Sequence, residues 1–113
     1  MTNCIFCKII AGEIPSAKVY EDEKMLVFKD IEPKAKVHLL AIPKVHFAYL
    51  SELNKDKAAI LGHIFTKIPQ IAQDNGCENG YRLIINQGED GGQAVHHLHI
   101  HILGGEKLPV DIL

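Results

Sequence analysis

Residues 95–103, VHHLHIHIL, alternate along much of their length between histidine and apolar positions. Alternation with a period of two is typical of a β-strand, in which successive side chains point to opposite faces of the sheet. One face would carry Val95, His97, His99, His101 and Leu103, and the other His96, Leu98, Ile100 and Ile102. Neighbours on one face lie roughly 7 Å apart. The pattern therefore predicts a row of three imidazoles beside the core of a sheet.

Four further segments have the composition of short strands, at residues 17–22, 24–30, 36–43 and 80–87. A polar turn joins the first two, and Pro43 ends the third. Residues 47–53 read as a connection with one helical turn.

Helical periodicity occurs in two places. A short helix opens the chain, and its apolar stripe consists of Ile5, Phe6, Ile9 and Ile10. A long helix is predicted from Asn54, its N-cap, to about Asn75, with a bend at Pro69. The buried face of the long helix, at i, i+3, i+4 spacing, would comprise Leu61, Ile64, Phe65, Ile68, Ile71 and Ala72. These elements predict an α+β fold, a five-stranded antiparallel sheet with one long helix and a short N-terminal helix on one face.

Composition narrows the class of protein. The length of 113 residues predicts a single domain over residues 1–113. The net charge of −2, without a basic block, argues against broad nucleic-acid binding. No apolar run reaches the roughly 18 residues of a membrane span, and no secretory signal pattern is present. Three cysteines cannot form a closed disulfide framework. We expect a cytoplasmic protein with no membrane or nucleic-acid partner.

The histidine row is the strongest candidate for chemistry. Three imidazoles on one strand face are costly to bury and serve no packing purpose. They could ligate a catalytic zinc, or one could act as a nucleophile on phosphorus while its neighbours orient it. Residues 86–95 favour phosphorus, because a turn with Gly88, Gly91 and Gly92 leads directly into the row. Glycines let backbone amides approach an anion closely.

Cys4 and Cys7 form a second constellation, with the CxxC spacing of a zinc half-site or a redox pair. A redox pair usually follows a strand in a thioredoxin-like unit, which the pattern does not show. A zinc site needs two further ligands.

The sequence resembles that of a known family. Residues 97–103, HLHIHIL, match the His-φ-His-φ-His-φ-φ signature of the histidine triad (HIT) family, in which φ is apolar. The similarity extends through IFCKIIAGEIPSAKVYED, FKDIEPKAKVHLLAIPKVH, GYRLIINQGEDGGQ and the final LGG. It is closest to the Hint-like branch of nucleotide-binding phosphoramidases. The resemblance implies a HIT-like fold and a homodimer formed through the long helix and the fourth strand.

The resemblance also implies a reaction. His99 would attack the α-phosphorus of a nucleoside 5′-phosphoramidate, and water would then cleave the nucleotidyl-histidine intermediate. His101 would contact the phosphate and the leaving group, His97 would orient the nucleophile through its carbonyl, and His38 would lie beside the row. A purine nucleotide would contact Ile5, Phe6, Ile9, Phe28, Asp30, Ile31, Leu40, Asn86, Gly92, Gln93, Ala94, Val95, His99 and His101. Asp30 would accept hydrogen bonds from the ribose hydroxyls.

Some HIT proteins combine CxxC with a histidine in PKxH and the first triad histidine. In this chain the corresponding zinc ligands are Cys4, Cys7, His46 and His97. Such a Cys₂His₂ set suits a closed structural site. No cofactor would be required for catalysis.

Two positions depart from the Hint-like pattern. Ala94 replaces a serine that helps hold the phosphate and the leaving group. The lost donor should cost up to roughly 3 kcal/mol. His96 stands where an aromatic residue is common, on the face opposite the triad. Two alternatives to the phosphoramidase therefore stay open: a nucleotide-binding module with little turnover, and a zinc-dependent hydrolase with a three-histidine site.

Overall fold

The computed structural model describes residues 3–111, which fold around one antiparallel sheet with strand order β1-β2-β3-β5-β4. The strands are β1 (Lys18–Glu21), β2 (Met25–Lys29), β3 (Val37–Pro43), β4 (Tyr81–Ile84) and β5 (Ile100–Gly104). The helices are α1 (Ile5–Ile10) and α2 (Lys55–Asp74), and a 3₁₀ turn spans Leu50–Glu52. The predicted fold class is confirmed: a five-stranded antiparallel sheet, one long helix and a short N-terminal helix.

The two helices lie on opposite faces of the sheet, so the expectation that both cover one face is wrong. In β2, Met25 and Val27 pack with α2, whereas Leu26 and Phe28 pack with α1. The same division continues through β3. The physical reason is visible in the sequence, since both strands are apolar at consecutive positions and a strand of this kind is buried on both faces.

The long helix begins as predicted, because the Asn54 side chain accepts a hydrogen bond from the Lys57 amide at 2.9 Å. It continues unbroken through Pro69. The predicted buried face is wrong at Phe65, which is 39% exposed, whereas Ile64 and Ile68 are buried. Phe65 lies at the rim of the apolar stripe, and the periodic pattern does not distinguish rim from centre.

The last strand is shorter than predicted. Pairing of β5 with β3 begins at Ile100, opposite Ala41. Pro43, at the end of β3, has no amide hydrogen with which to extend the ladder. The chain before Ile100 is held by other bonds, among them Leu98 N–H to the Phe47 carbonyl at 2.7 Å. From Leu98 onward the alternation of faces persists, since Leu98 and Ile100 are fully buried in the α2-side core. The chain bends at residues 95–97, and His96, predicted on the face opposite the triad, is instead exposed and lines a cleft together with Ala94 and Val95.

His63 on α2 has a structural role rather than a catalytic one. Its Nε2 lies 2.7 Å from a carboxylate oxygen of Asp22, and the Tyr20 hydroxyl donates to the same oxygen at 2.8 Å. The contact connects the β1–β2 turn to the long helix.

Between residues 3 and 111, no helix is long and apolar enough to cross a bilayer.

Candidate active site and metal cluster

His99 presents one ring nitrogen in the form that a nucleophile needs. Its Nδ1 lies 2.8 Å from the carbonyl oxygen of His97. A carbonyl only accepts, so Nδ1 carries the hydrogen and Nε2 keeps a free electron pair. The ring is 6% exposed and meets the edge of Phe6, with ring centroids 5.2 Å apart. His99 is thus fixed in tautomer and in orientation.

His101 is fixed in the opposite tautomer through His38. The Lys34 amide donates to His38 Nδ1 at 3.0 Å, so the hydrogen of His38 resides on Nε2. That Nε2 lies 2.9 Å from His101 Nδ1 and 3.4 Å from an Asp30 carboxylate oxygen. His101 Nδ1 is therefore an acceptor, and its own hydrogen lies on Nε2. The row places an electron pair on His99 beside an N–H on His101.

Burial favours the uncharged forms of His101 and His38 by lowering the pKa of each. The pKa of His101 is lowered to about 4. Burial is the largest cause, and the neighbouring His99 and His38 act in the same direction, whereas the Asp30 carboxylate opposes the shift. Burial also lowers the pKa of His38, although the Asp30 carboxylate opposes the shift. The neutral forms agree with the directions of the hydrogen bonds.

An open cleft of about 400 Å³ lies beside His38 and His101. Three predicted nucleotide-binding residues line it together: Asp30 after β2, Asn86 after β4 and His101 in β5. Asp30 is ordered by a turn in which one carboxylate oxygen accepts from the Glu32 amide at 2.8 Å. Residues far apart in sequence thus meet at one cleft.

The predicted base-contacting residues divide into two groups. Phe6, Ile9, Phe28 and Leu40 are buried together in the core between α1 and the sheet. Ile5 is 46% exposed and Ile31 is 94% exposed. The structure therefore brings the first four together and leaves Ile31 on the surface.

The loop before the row is held by Gln93. The Gln93 amide nitrogen donates to the Ala48 and Val95 carbonyls, and its oxygen accepts from the Gly88 amide. The side-chain amide is therefore engaged in holding the loop. Gly92, at φ +77°, makes the turn that leads to Ala94 and Val95. Ala94 is exposed, and Val95 is partly buried.

Cys4, Cys7, His46 and His97 offer four ligand atoms that lie within 4.8 Å of one another. His97 Nε2 donates to the Pro43 carbonyl at 2.8 Å, so its Nδ1 keeps the electron pair that faces the cluster. His97 Nδ1 lies 3.4 Å from the Cys4 sulfur and 3.1 Å from His46 Nδ1. Tetrahedral zinc, with Zn–S about 2.3 Å and Zn–N about 2.0 Å, holds its ligands at similar spacings. The donor set and its geometry fit a structural zinc.

Burial lowers the pKa of His97 to about 4; the hydrogen bond to Pro43 opposes this shift, and the charges of His46 and His99 add to it. A metal ligand must be an uncharged imidazole, which is the form that burial favours here.

The described residues do not form a three-histidine zinc site. His97 points to the cysteines, and His101 groups with Asp30 and His38. His99 belongs to neither group among residues 3–111. The Asp30–His38–His101 group is itself poorly suited to a metal, because the Lys34 amide keeps the His38 hydrogen on the nitrogen that would have to bind it.

Two backbone groups that orient the site were missed by the sequence analysis: the Lys34 amide and the Pro43 carbonyl. Every residue carries such groups, so no residue type marks them. The indirect signal was the pair of prolines nearby, since Pro33 and Pro43 fix the local course of the chain.

Comparison with known proteins agrees with this architecture. The family model described as "Scavenger mRNA decapping enzyme C-term binding" matches residues 3–109. Protein HitA of Neisseria gonorrhoeae is 53% identical over 104 residues, which cover 92% of this chain and 97% of HitA.

Two solved structures are also similar. A HIT family hydrolase from Clostridium thermocellum superposes with a TM-score of 0.94 at 49% identity, covering 100% of this chain and 99% of the other. A histidine triad protein from Clostridium difficile gives a TM-score of 0.90 at 49% identity, with 96% of each chain covered. With the His97–His101 row in place and relatives alike over nearly their whole length, the chain belongs to the histidine triad (HIT) family.

Proposed function

We propose that the protein is a hydrolase that cleaves purine nucleoside 5′-phosphoramidates, or related nucleotidyl conjugates, through a nucleotidyl-histidine intermediate. The observation that carries the proposal is the pair of opposite tautomers in the row. His99 offers an electron pair on Nε2, and His101 offers an N–H two positions away. The name of the Clostridium thermocellum relative, a HIT family hydrolase, supports the reaction class.

The first step would form a bond from His99 Nε2 to the α-phosphorus while the bond to the leaving amine breaks. His101, protonated to the imidazolium when the anionic substrate binds, would give the departing nitrogen its proton and be left as the neutral imidazole. In the free protein this imidazole is neutral, but a bound phosphate anion opposes the causes that lower its pKa. In the second step water attacks phosphorus, the bond to His99 breaks, and the proton of the water returns to His101. One difficult displacement becomes two easier ones.

The nucleotide would lie across the cleft beside His101. Asp30 would accept from the ribose hydroxyls through its carboxylate, and Asn86 with the amides of residues 94–95 would face the phosphate. Phe6, Ile9, Phe28 and Leu40 would form the apolar floor under the base, with Ile5 and Ile31 at its rim.

A nucleotide-binding module with little turnover is the second candidate function. The observation that favours it is Ala94, which is exposed where a hydroxyl would reach the phosphate. Both candidates predict binding of a purine nucleotide, and they differ in rate.

We also propose that Cys4, Cys7, His46 and His97 hold one zinc ion, which when bound would act as a structural crosslink between α1, the end of β3 and the row. Purified protein is expected to contain about one zinc per chain by elemental analysis. Cys4→Ser should lose most of that zinc and melt several degrees lower, since ligand binding to the folded state adds to stability.

Cys77→Ser is the matched control, because Cys77 is a buried thiol outside the cluster and should leave the zinc content unchanged. Metal-free wild-type protein whose melting temperature does not rise when zinc is added would show that the two cysteines are only core residues.

A homodimer is proposed at the β4 edge. β4 is the last strand of the sheet, and Tyr81, Leu83 and Ile84 expose apolar surface there. Phe65 on α2 is likewise exposed. Pairing through this edge would bury a strand that is otherwise open to aggregation.

Light scattering during size exclusion is expected to give the mass of two chains. Leu83→Glu should yield monomers, because a carboxylate would be buried without a partner. Val110→Glu, at an equally apolar and more exposed position, should remain dimeric. A wild-type monomer at micromolar concentration would contradict the proposal.

A further inference from the structure

A second cleft, of about 450 Å³, adjoins the loop that precedes the histidine row. Its walls include Asn3, Ile5, His46, Ala94, Val95 and His96. Ala94 and Val95 are the residues whose amides the proposed function assigns to the phosphate. A group attached to that phosphate on the side away from the nucleoside could therefore enter this cleft.

His96 gives the cleft a hydrogen-bond donor. Its ring lies edge-on to Tyr49, and Nδ1 is 3.4 Å from the Tyr49 hydroxyl. A donor role for this ring requires that Nδ1 accept from the hydroxyl, in which case the ring hydrogen lies on Nε2. Within residues 3–111 the hydrogen bonds of this ring run through Nδ1, so Nε2 remains for a ligand.

Two more polar groups line the same cleft. His46 turns Nδ1 toward the Cys7 sulfur, at 3.3 Å, and its Nε2 lies on the opposite side of the ring. Asn3 contributes a side-chain amide. Ile5 and Val95 supply apolar wall, and Ala94 adds no polar side-chain atom. The described lining contains no carboxylate that would repel an anion, and its remaining residue, Cys4, belongs to the proposed zinc cluster.

We propose that this cleft is a leaving-group subsite that selects substrates whose leaving amine carries an anionic group, a carboxylate or a phosphate. The inference rests on the proposed function, because it places the amine of a phosphoramidate beside Ala94. His96 would be its specificity-determining residue. Ala94 lies at the entrance to the cleft from the phosphate, and the donors beyond it select for negative charge.

Three adenosine 5′-phosphoramidates test the proposal. Their amines are β-alanine, β-alanine amide and 2-aminoethyl phosphate, so the first two differ in one charge and the third replaces carboxylate by phosphate. The wild-type protein should hydrolyse the two anionic conjugates with kcat/KM at least about tenfold above that of the neutral amide, which is the lower end of what a hydrogen bond to a charged group contributes. The preference should appear mainly in KM, because the anionic group lies away from the bond that breaks. The ratio between the two anionic conjugates identifies which group fits.

His96→Phe keeps the ring and removes the donor. This substitution should bring the ratio of kcat/KM between the anionic conjugates and the neutral amide close to one. It should leave kcat/KM for the neutral amide within about twofold of the wild-type value. His96→Gln, which restores a donor, should recover part of the preference. A wild-type protein that hydrolyses all three conjugates equally well, or a preference that His96→Phe leaves intact, would overturn the subsite.

Calorimetric titration separates failure of the subsite from failure of the proposed function. The same conjugates are titrated into His99→Ala and into His99→Ala with His96→Phe, so that no hydrolysis interferes. Tighter binding of the anionic conjugates that depends on His96 would support the subsite even if the wild-type protein turned over none of them. Equal binding of the charged and neutral conjugates would refute it, whatever their rates of hydrolysis.

Discussion

Replacing His99 by alanine is expected to abolish hydrolysis of an adenosine phosphoramidate while AMP still binds. The nucleophile is the one group for which no neighbour can substitute, because His97 faces the cysteines and His101 holds a hydrogen toward the substrate. Loss of a covalent nucleophile lowers kcat by at least about a thousandfold. Binding depends instead on the apolar floor and the Asp30 cleft, which the substitution leaves in place.

Steady-state hydrolysis and calorimetric titration with AMP measure the two effects. His63→Ala is the matched control, because this histidine lies on α2, away from the row, and contacts Asp22 in the β1–β2 turn. It should keep wild-type activity. If His99→Ala retains more than a few per cent of the wild-type activity, the covalent mechanism is wrong.

Ala94→Ser is expected to raise kcat on phosphoramidates by on the order of a hundredfold and to leave AMP affinity nearly unchanged. The new hydroxyl would donate beside the departing group, where charge develops in the transition state. An interaction formed mainly in the transition state changes rate more than ground-state binding. Position 94 is exposed and borders the cleft, so a serine fits without displacing the core.

Ala94→Cys is the control for size, because a thiol is a weak donor of similar bulk. The comparison requires kcat for the three proteins and calorimetric AMP binding for each. Undetectable turnover by the wild-type protein together with an active serine variant would favour the binding module. Unchanged turnover in the serine variant would mean that His101 and the backbone amides alone orient the leaving group.

The sequence predicted the elements well where one periodicity dominates. The span of α2 followed from its N-cap, Asn54, and its apolar stripe, and β2 and β3 followed from their apolar runs. The placement of α1 on the far face was missed, although Leu26 and Leu40 already required a second covering layer. Pattern identifies which side chains are buried more readily than which element covers them.

For the site, the residues of the row could be found from the sequence, but their tautomers could not. The tautomer of His99 is set by the carbonyl oxygen of His97. That of His101 is set through His38, which accepts a hydrogen bond from the Lys34 amide. The start of β5 at Ile100 had a similar cause, since the missing amide hydrogen of Pro43 acts across strands. Such effects depend on which backbone groups meet in space, and local composition carries no record of them.

The segment that carries His99, the proposed nucleophile, also lies in the protein's core. Leu98 and Ile100, on either side of His99, are fully buried against the α2 layer. An amide in such a position exchanges its hydrogen with solvent chiefly when the whole domain opens. The conformational entropy needed to align the imidazole of His99 is therefore lost when the chain folds, and little of it would remain to be lost when a substrate binds. The rigidity of the active site is in this sense a property of the folding transition.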